Sequence, residues 1–231
     1  MERVIDRLSN HYIVCGFGRM GAQIGRELTR RELAFVVIER DPIVLDMLRV
    51  NGVLHIEGDA TSDSILLTAG VSHARGLATA LSGDADNALV VISAKGLNPY
   101  LQVVARASSR EMEEKLLRAG ADRVVTPYTI GGQRMALGLL QPAVNEFLNS
   151  VIFDAEKHTE LGEIEVGEHS EFVGKTLRES RLRERWGAIV VAIKHQGGEF
   201  TLSPSANTVL RYGDMLILVA SASSWRELQN V

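Results

Sequence analysis

The chain has 231 residues, enough for one large domain or two small ones. Hydrophobic residues make up 45% of it and charged residues 23%, which is typical of a globular protein and excludes a disordered one. The formal net charge of −4 excludes the basic composition that nucleic-acid-binding proteins use to neutralise phosphates. The single cysteine, Cys15, excludes an intrachain disulfide and favours a reducing compartment.

The apolar stretches of the sequence fall short of the roughly 18 residues that a membrane span requires. The N-terminal sequence MERVIDRLSNH carries charges of both signs and no apolar centre, so it does not have the pattern of a signal peptide. We therefore expect a soluble chain, which can still be the soluble part of a larger protein.

Six short apolar runs, rich in β-branched residues, alternate with segments of helical length. The runs are HYIVC, AFVVIE, VLHIEG, RGLATAL, LQVVARA and ADRVVTP. The helical segments are Arg19–Glu32, Pro42–Asn51, Ser62–Thr68, Asp84–Lys95 and Arg110–Leu117. Asp41 followed by Pro42 is a strong helix start, because aspartate caps a helix and proline suits its first position. The alternation predicts an α/β fold with a Rossmann-like, doubly wound parallel sheet.

The pattern changes after Pro127. A helical stretch from about Ile130 to Leu148 is expected to kink or break at Pro142. Beyond it, TELGEIEVG alternates like a strand, VGKTLRESRLRER reads as a short helix, and GAIVVAIKHQGGEFTLSP reads as two strands joined by a Gly-Gly turn. NTVLRYGDMLILVAS adds another turn and strand. The predicted domains are a Rossmann-like lobe at 1–127, a helical crossover or dimerisation linker at 128–150 and a smaller α+β domain at 151–231.

The most informative motif is CGFGRMG, in which three glycines have the G-x-G-x-x-G spacing. It follows an apolar strand and opens an amphipathic helix, as dinucleotide binding requires. The first glycine permits the tight turn, the second lets a pyrophosphate approach the backbone, and the third lets the helix pack on the sheet. The helix N-terminus then offers N–H groups and a positive dipole to phosphates. The predicted contact residues are Gly16, Phe17, Gly18, Arg19, Met20 and Gly21.

A carboxylate, Glu39, ends the second predicted strand. It can accept hydrogen bonds from both hydroxyls of an adenosine ribose, and it would repel a 2′-phosphate. The sequence therefore favours NAD or an adenine nucleotide over NADP, although the neighbouring Arg40 weakens that exclusion. The alternative is that Glu39 only ends a strand in a polar turn.

Further candidate residues follow the third, fourth and fifth strands, at the sheet edge where ligands of this fold bind. After the third strand they are Asp59, Ala60 and Thr61; after the fourth, Thr79 and Ala80; after the fifth, Arg106. Asp59 could accept a hydrogen bond from the adenine amino group. Alternatively, Thr61 or Ser62 only caps the next helix. Arg19 and Arg106 are the cations expected near phosphate, unless either is a solvated surface arginine.

These motifs occur in an order that resembles a known family. HYIVCGFGRMG, VVIERDP, GDAT and AGADRVVTP, followed by VGKTLRE, LRERWGAIVVAIKHQG and a GD-x-LILV ending, are similar to the regulator-of-potassium-conductance module, also called RCK or KTN. The resemblance extends over nearly the whole chain. It implies a Rossmann-like N-lobe that binds NAD(H) or ADP/ATP, a helical crossover that swaps with a neighbour, and a C-lobe of the TrkA-C type.

The resemblance also implies a function and partners. Such modules sense a ligand and gate potassium channels or Trk/Ktr transporters, and they assemble as dimers and then as an octameric gating ring under the pore. This places the chain in the cytoplasm, at the inner face of the membrane through its pore partner. The start MERVIDRLSNHYIVCG looks like the linker after the pore helix of a channel whose pore and module share one chain. The alternative is a separate subunit that begins here.

One departure concerns metal binding. Calcium-gated members of the family have acidic residues near the end of the fourth strand and after the fifth, where this chain has Ala80, Arg106 and Ser108. Because a divalent cation needs several converging oxygen ligands, no metal is predicted at that position. Acidic residues elsewhere (Asp84, Asp86, Glu111) could form another site.

An enzymatic function is the less favoured alternative. A small NAD-dependent oxidoreductase would need an acid or base beside the nicotinamide, but no Tyr-x-x-x-Lys pattern and no P-loop lysine motif occur in the sequence. The six histidines are scattered rather than spaced as metal ligands. We therefore predict no catalytic residues.

Overall fold

The computed structural model describes residues 5, 7–152 and 159–228 of the chain. The expected N-terminal linker and the start of the predicted C-terminal domain therefore lie partly outside the described residues. The chain divides into two compact units, Met1–Gln133 and Arg134–Val231.

The first unit contains a parallel sheet of six strands, confirming the predicted doubly wound fold. The strands are β1 (Tyr12–Cys15), β2 (Phe35–Glu39), β3 (His55–Glu57), β4 (Gly76–Thr79), β5 (Gln102–Arg106) and β6 (Arg123–Val125). Their order across the sheet is β3-β2-β1-β4-β5-β6. The order reverses between β1 and β4, so the switch point, where ligands bind in such sheets, lies at the end of β1.

The helices of the first unit follow the predicted segments closely. They are α1 (Arg19–Arg30), α2 (Pro42–Val50), α3 (Asp63–Thr68), α4 (Asp84–Leu97) and α5 (Arg110–Arg118). The start of α2 is as predicted, because the Asp41 carboxylate accepts a hydrogen bond of 2.9 Å from the Ile43 N–H. The predicted first helix extends two residues too far, because Glu32 adopts a left-handed backbone with φ of 56°.

Both faces of this sheet are buried, as the apolar strands predict. Ile13 and Cys15 of β1 belong to the larger apolar cluster on one face. Val14, between them, belongs to a second cluster on the other face with Val37 and Leu45. Successive side chains of a strand point to opposite faces, so an unbroken apolar run serves both clusters.

The helical stretch after β6 breaks at the predicted proline. It forms α6 (Pro127–Leu140) and α7 (Pro142–Ile152), with Gln141 between them. Helix α6 spans the boundary between the two units. None of its residues is buried. The exact limits of the two lobes and the linker remain predictions.

The second unit contains an antiparallel sheet with the strand order β7-β10-β8-β9. Its strands are β7 (Thr159–Glu165), β8 (Ile189–Lys194), β9 (Phe200–Leu202) and β10 (Met215–Ser221). The two strands read from GAIVVAIKHQGGEFTLSP form the β8–β9 hairpin. Phe172, Leu182 and Trp186 pack with Leu216 and Leu218 in its apolar core.

The prediction of a single short helix over VGKTLRESRLRER is wrong. The segment forms two helices of about one turn each, α8 (Leu177–Ser180) and α9 (Leu182–Trp186). Arg181 separates them with a left-handed φ of 54°, which a continuous helix cannot contain. A C-terminal helix, α10 (Ala222–Leu228), follows β10 and was not predicted.

Candidate functional site

A cleft of about 1210 Å³ lies at the carboxyl edge of the parallel sheet in the first unit. It extends from the end of β3, past the loop between β1 and α1, to the start of α6. The predicted contact residues that line it are Gly16, Gly18, Arg19, Met20, Glu39, Arg40, Asp59, Ala60, Thr79, Ala80 and Arg106. The structure thus brings most of the predicted residues together in one concave site.

Two glycines of the loop are required by close packing. Gly16 has a φ of +82°, and a Cβ there would lie 2.9 Å from the Leu81 Cδ2 atom. A Cβ at Gly21 would lie only 2.0 Å from the Gly16 carbonyl oxygen. The tight turn and the close approach of α1 to the strand therefore both depend on the absence of a side chain.

The middle glycine, Gly18, differs from the other two. Its φ is −64°, and a Cβ there would have no atom within 4 Å. Another residue would therefore fit the fold, with its side chain beside the cleft that Gly18 lines. Gly18 is also the N-cap of α1, without a side-chain cap and without an acidic residue in the first turn. The first N–H groups of α1 have no partner within the helix, which suits them to an anion.

The Glu39 side chain connects the end of β2 to the glycine loop. Its Oε2 atom accepts a hydrogen bond of 2.6 Å from the Phe17 main-chain N–H. Its Oε1 atom accepts bonds of 2.8 and 3.0 Å from the N–H groups of Arg40 and Asp41. A carboxylate has about four acceptor positions, so capacity remains for a ribose hydroxyl. The Glu39 side chain is therefore held in place beside the glycine loop by three main-chain N–H groups.

Asp59 and Thr61 form a local hydrogen-bonded turn. The Asp59 Oδ1 atom accepts bonds from the Thr61 N–H at 2.9 Å and from the Thr61 hydroxyl at 2.8 Å. These bonds, helped by the Arg40 guanidinium 3.8 Å away, lower the pKa of Asp59, so it stays ionised and able to accept. Ser62 occupies the N-cap position of α3, as the alternative expects, but its side chain makes no capping hydrogen bond.

Three predicted contact residues do not line the cleft, each for a packing reason. The Phe17 side chain is buried in the apolar cluster beneath α1, so only its backbone faces the loop. Gly21 is covered by the approach of α1 to the Gly16 carbonyl. Thr61 turns its hydroxyl to Asp59.

A buried amide, Asn87, organises the edge beyond β4. Its Oδ1 atom accepts hydrogen bonds from the Thr79 hydroxyl at 2.6 Å and from the Leu81 N–H at 3.1 Å. Its Nδ2 atom donates to the carbonyls of Leu81 and Arg106, both at 3.1 Å. All four positions of the amide are used, so Asn87 fixes the ends of β4 and β5 to each other. Asn87 was not among the predicted site residues.

Arg106 lies at the end of β5 and is half-buried. Its Nη1 atom donates a hydrogen bond of 3.3 Å to the Leu81 carbonyl. Its guanidinium carbon lies 6.0 Å from the centre of the Tyr128 ring. Tyr128, Leu81 and Ser82 also line the cleft and were not predicted. Leu81 and Ser82 directly follow the predicted Ala80, so extending that segment along the same sheet edge would have found them.

Ser108, which follows β5, is hydrogen-bonded to an acidic side chain at the start of α4. The Asp84 carboxylate accepts hydrogen bonds from the Ser108 N–H, at 2.9 Å, and from the Ser108 hydroxyl. Among the described residues, no three His, Cys, Asp or Glu side chains cluster as metal ligands would. In that part of the chain no helix is long and apolar enough to cross a bilayer.

Comparison with known proteins agrees with these features. The TrkA-N domain model matches residues 12–127, and the TrkA-C domain model matches residues 161–231. The chain is 36% identical to Potassium channel protein 1 of Methanocaldococcus jannaschii, with 99% of this chain aligned to 68% of that one. It is 25% identical to the Trk system potassium uptake protein TrkA homolog of Pyrococcus horikoshii, over 96% of both chains.

Among solved structures, the chain is similar to the GsuK RCK domain. The sequence identity is 26% and the TM-score 0.51, over 96% of this chain and 46% of that one. The GsuK channel has a structure bound to NAD, with 25% identity and a TM-score of 0.51 over 96% of this chain and 38% of that one. A structure of GsuK bound to ADP has 27% identity and a TM-score of 0.51, over 60% of this chain and 36% of that one.

Proposed function

The chain belongs to the TrkA family of potassium-transport regulators, the RCK or KTN modules, and on that premise we propose that it senses a nucleotide and gates potassium flux through a membrane pore. The nucleotide is NAD(H) or ADP/ATP, bound in the cleft of the first unit. The pore belongs to a channel or to a transporter membrane subunit, in the same full-length chain or in a separate one. The module acts at the cytoplasmic face of that pore.

The observation that carries the proposal is the Glu39 carboxylate held beside the glycine loop. Its 2.6 Å hydrogen bond from the Phe17 N–H holds a carboxylate, a group that can accept from a ribose hydroxyl, next to the open N-terminus of α1. A nucleotide with a free ribose and a diphosphate has hydroxyl donors for the Glu39 carboxylate and anionic oxygens for the N-terminus of α1. NAD and ADP, the ligands bound in the GsuK structures, share both groups.

We assign the nucleotide contacts to the residues that the sequence singled out. The diphosphate lies against the N–H groups of 16–21, with Arg19 as a nearby cation. A ribose hydroxyl binds the remaining acceptor position of Glu39, and the adenine lies near Asp59 and Ala60. Thr79, Ala80 and Arg106 line the far side of the bound ligand.

The module acts by regulation and not by catalysis in this proposal. A ligand shifts a conformational equilibrium only by the difference between its affinities for the two states. A tenfold change in the ratio of open to closed pores needs only about 1.4 kcal/mol of such difference. The alternative, a small NAD-dependent oxidoreductase, would consume NADH in the presence of a carbonyl substrate.

We further propose that the chain assembles with copies of itself, as a dimer and then as an octameric ring, through the linker at 128–150. Helix α6 has no buried residue, and several of its large apolar side chains are open to solvent. They include Met135, 75% exposed, and Leu139, 84% exposed. Such a surface is costly in water and is typical of one that a partner covers.

A nucleotide panel tests the sensing function. The purified chain is titrated calorimetrically with NAD, NADH, NADP, ADP and ATP. The proposal predicts saturable binding of at least one nucleotide with a free ribose and much weaker binding of NADP, because Glu39 repels the 2′-phosphate. Absence of binding by the whole panel, or a preference for NADP, would overturn it.

A further inference from the structure

The cleft continues well beyond the part that an adenosine diphosphate would occupy. Its second half, on the β4–β6 side of the glycine loop, is lined by Leu81, Ser82, Asp86, Arg106 and Tyr128. Going from Glu39 at the end of β2 to Arg106 at the end of β5 crosses three strand spacings, or about 14 Å. A ligand anchored at Glu39 needs a second nucleoside to cover that distance.

The second half offers an aromatic face supported by a fixed cation. Arg106 is held by its 3.3 Å hydrogen bond to the Leu81 carbonyl, and its main-chain oxygen accepts from Asn87. The Tyr128 ring lies 6.0 Å from the guanidinium and is 65% exposed. A planar base can stack on such a ring, and the Asp86 carboxylate can accept hydrogen bonds from a second ribose while disfavouring another phosphate.

Tyr128 is also the second residue of α6, the helix that spans the boundary between the two units. Within one copy of the chain no α6 residue is buried, and Met135 and Leu139, which we propose a second copy covers, lie beyond the first turn. Few tertiary contacts therefore hold the first turn of this helix in place. Segments with few buried contacts open at low free-energy cost, so one added contact there has a large effect. A ligand group that packs on Tyr128 would therefore stabilise the first turn of α6.

Resting on the proposed function, we propose that the cleft selects a dinucleotide whose second nucleoside stacks on Tyr128 beside Arg106, and that this contact orders the first turns of α6. NAD fills both halves of the cleft. ADP fills only the half near Glu39, binds there without reaching Tyr128, and leaves α6 as it is in the free chain. The site thereby distinguishes the two ligands by their length.

Hydrogen exchange on the whole chain, measured by mass spectrometry with saturating NAD or ADP, tests this. Both nucleotides are expected to slow exchange in residues 16–23, which report occupancy of the glycine loop. Only NAD is expected to slow exchange in residues 127–133. In calorimetry, Tyr128→Ala is expected to weaken NAD about tenfold, the size of one lost stacking contact, and to change ADP less than twofold.

The matched control is Tyr100→Ala. Tyr100 is 97% exposed, belongs to the same unit and does not line the cleft, so its removal should change neither affinity. Equal protection of α6 by NAD and ADP, or equal weakening of both by Tyr128→Ala, would overturn the inference and leave the proposed function standing. The same measurement with ATP is a further test. If ATP protected α6, and if this protection depended on Arg106 but not on Tyr128, the group detected would be a third phosphate and the inference would be overturned. If neither nucleotide slowed exchange at 16–23, the inference would fail, and the proposed function would fail with it if the rest of the nucleotide panel did not bind either.

Discussion

The Glu39 carboxylate accepts a 2.6 Å hydrogen bond from the main-chain N–H of Phe17, joining the end of β2 to the glycine loop after β1. The same side chain also accepts from Arg40 and Asp41. Glu39 therefore has two roles in our account: it supports the loop in the free protein and binds the ribose in the complex. A substitution of Glu39 affects both roles, so its effect on nucleotide affinity must be compared with its effect on the melting temperature of the free chain.

Glu39→Gln tests the ribose contact. Glutamine keeps one oxygen for the Phe17 N–H but loses the charge, and its NH₂ group cannot accept from the N–H groups that the other carboxylate oxygen serves. We expect nucleotide affinity to fall by roughly 10- to 100-fold, corresponding to about 1.5–3 kcal/mol for charge-assisted hydrogen bonds. Calorimetry with NAD and ADP measures this.

The control for Glu39→Gln is Glu57→Gln. Glu57 ends the neighbouring strand β3, is exposed and pairs with Arg49, away from the lining of the cleft. The Glu57→Gln substitution removes the same charge from the same sheet edge. Because Glu57 does not line the cleft, this variant should leave nucleotide affinity nearly unchanged. Equal losses in both variants would mean that Glu39 acts only through the general electrostatic field of the unit.

Gly18 and Gly21 should respond differently to an added side chain. Gly18→Val places its Cβ where no atom lies within 4 Å, so we expect a melting temperature close to that of the parent chain and loss of nucleotide binding. Gly21→Ala places its Cβ 2.0 Å from a backbone oxygen, so we expect severe destabilisation. Thermal unfolding with and without NAD measures both effects. Nucleotide-dependent stabilisation of Gly18→Val would show that the loop does not hold the phosphates.

Asn87 should contribute more to stability than its single side chain suggests. Replacing it with alanine leaves the Thr79 hydroxyl and the Leu81 N–H without their acceptor in a buried region. We expect the free energy of unfolding to fall by about 2–6 kcal/mol, because each of these two unsatisfied buried groups costs about 1–3 kcal/mol. Urea denaturation of Asn87→Ala measures this. Asn51→Ala is the control, since Asn51 is an exposed C-cap, and a loss as large there would refute a special role for the Asn87 network.

The exposed face of α6 should control assembly. Met135→Glu combined with Leu139→Glu places charges where we propose that a second copy packs, so we expect the double variant to be monomeric and folded. Light scattering after size-exclusion chromatography gives the mass. Ile43→Glu is the control, because Ile43 is 79% exposed on α2, outside the proposed interface. A double variant with the same mass as the parent would contradict an interface on α6.

Local sequence patterns predicted the parallel sheet, the glycine loop and the Asp41 helix cap well. Each depends on residues close together in the chain, such as the proline that follows Asp41 or the spacing from Gly16 to Gly21. The break at Pro142 was predictable for the same reason, because proline cannot continue the hydrogen bonding of a helix.

The missed features depend on contacts between residues distant in the chain. Asn87 contacts Arg106 only because β4 and β5 are neighbours in the sheet. Tyr128 lies near Arg106 only because β6, which precedes it, pairs with β5. The left-handed Arg181 was missed because its neighbours all have residue types that suit a continuous helix. A resemblance to a family supplied the order of the lobes but not these contacts.

A crystal structure of the chain with NAD tests the central claim most directly. The account predicts density for a pyrophosphate within hydrogen-bonding distance of the N–H groups at the start of α1, and a ribose with a hydroxyl that donates to Glu39. NAD bound at any other place, or a glycine loop still empty at concentrations that saturate binding in solution, would contradict it.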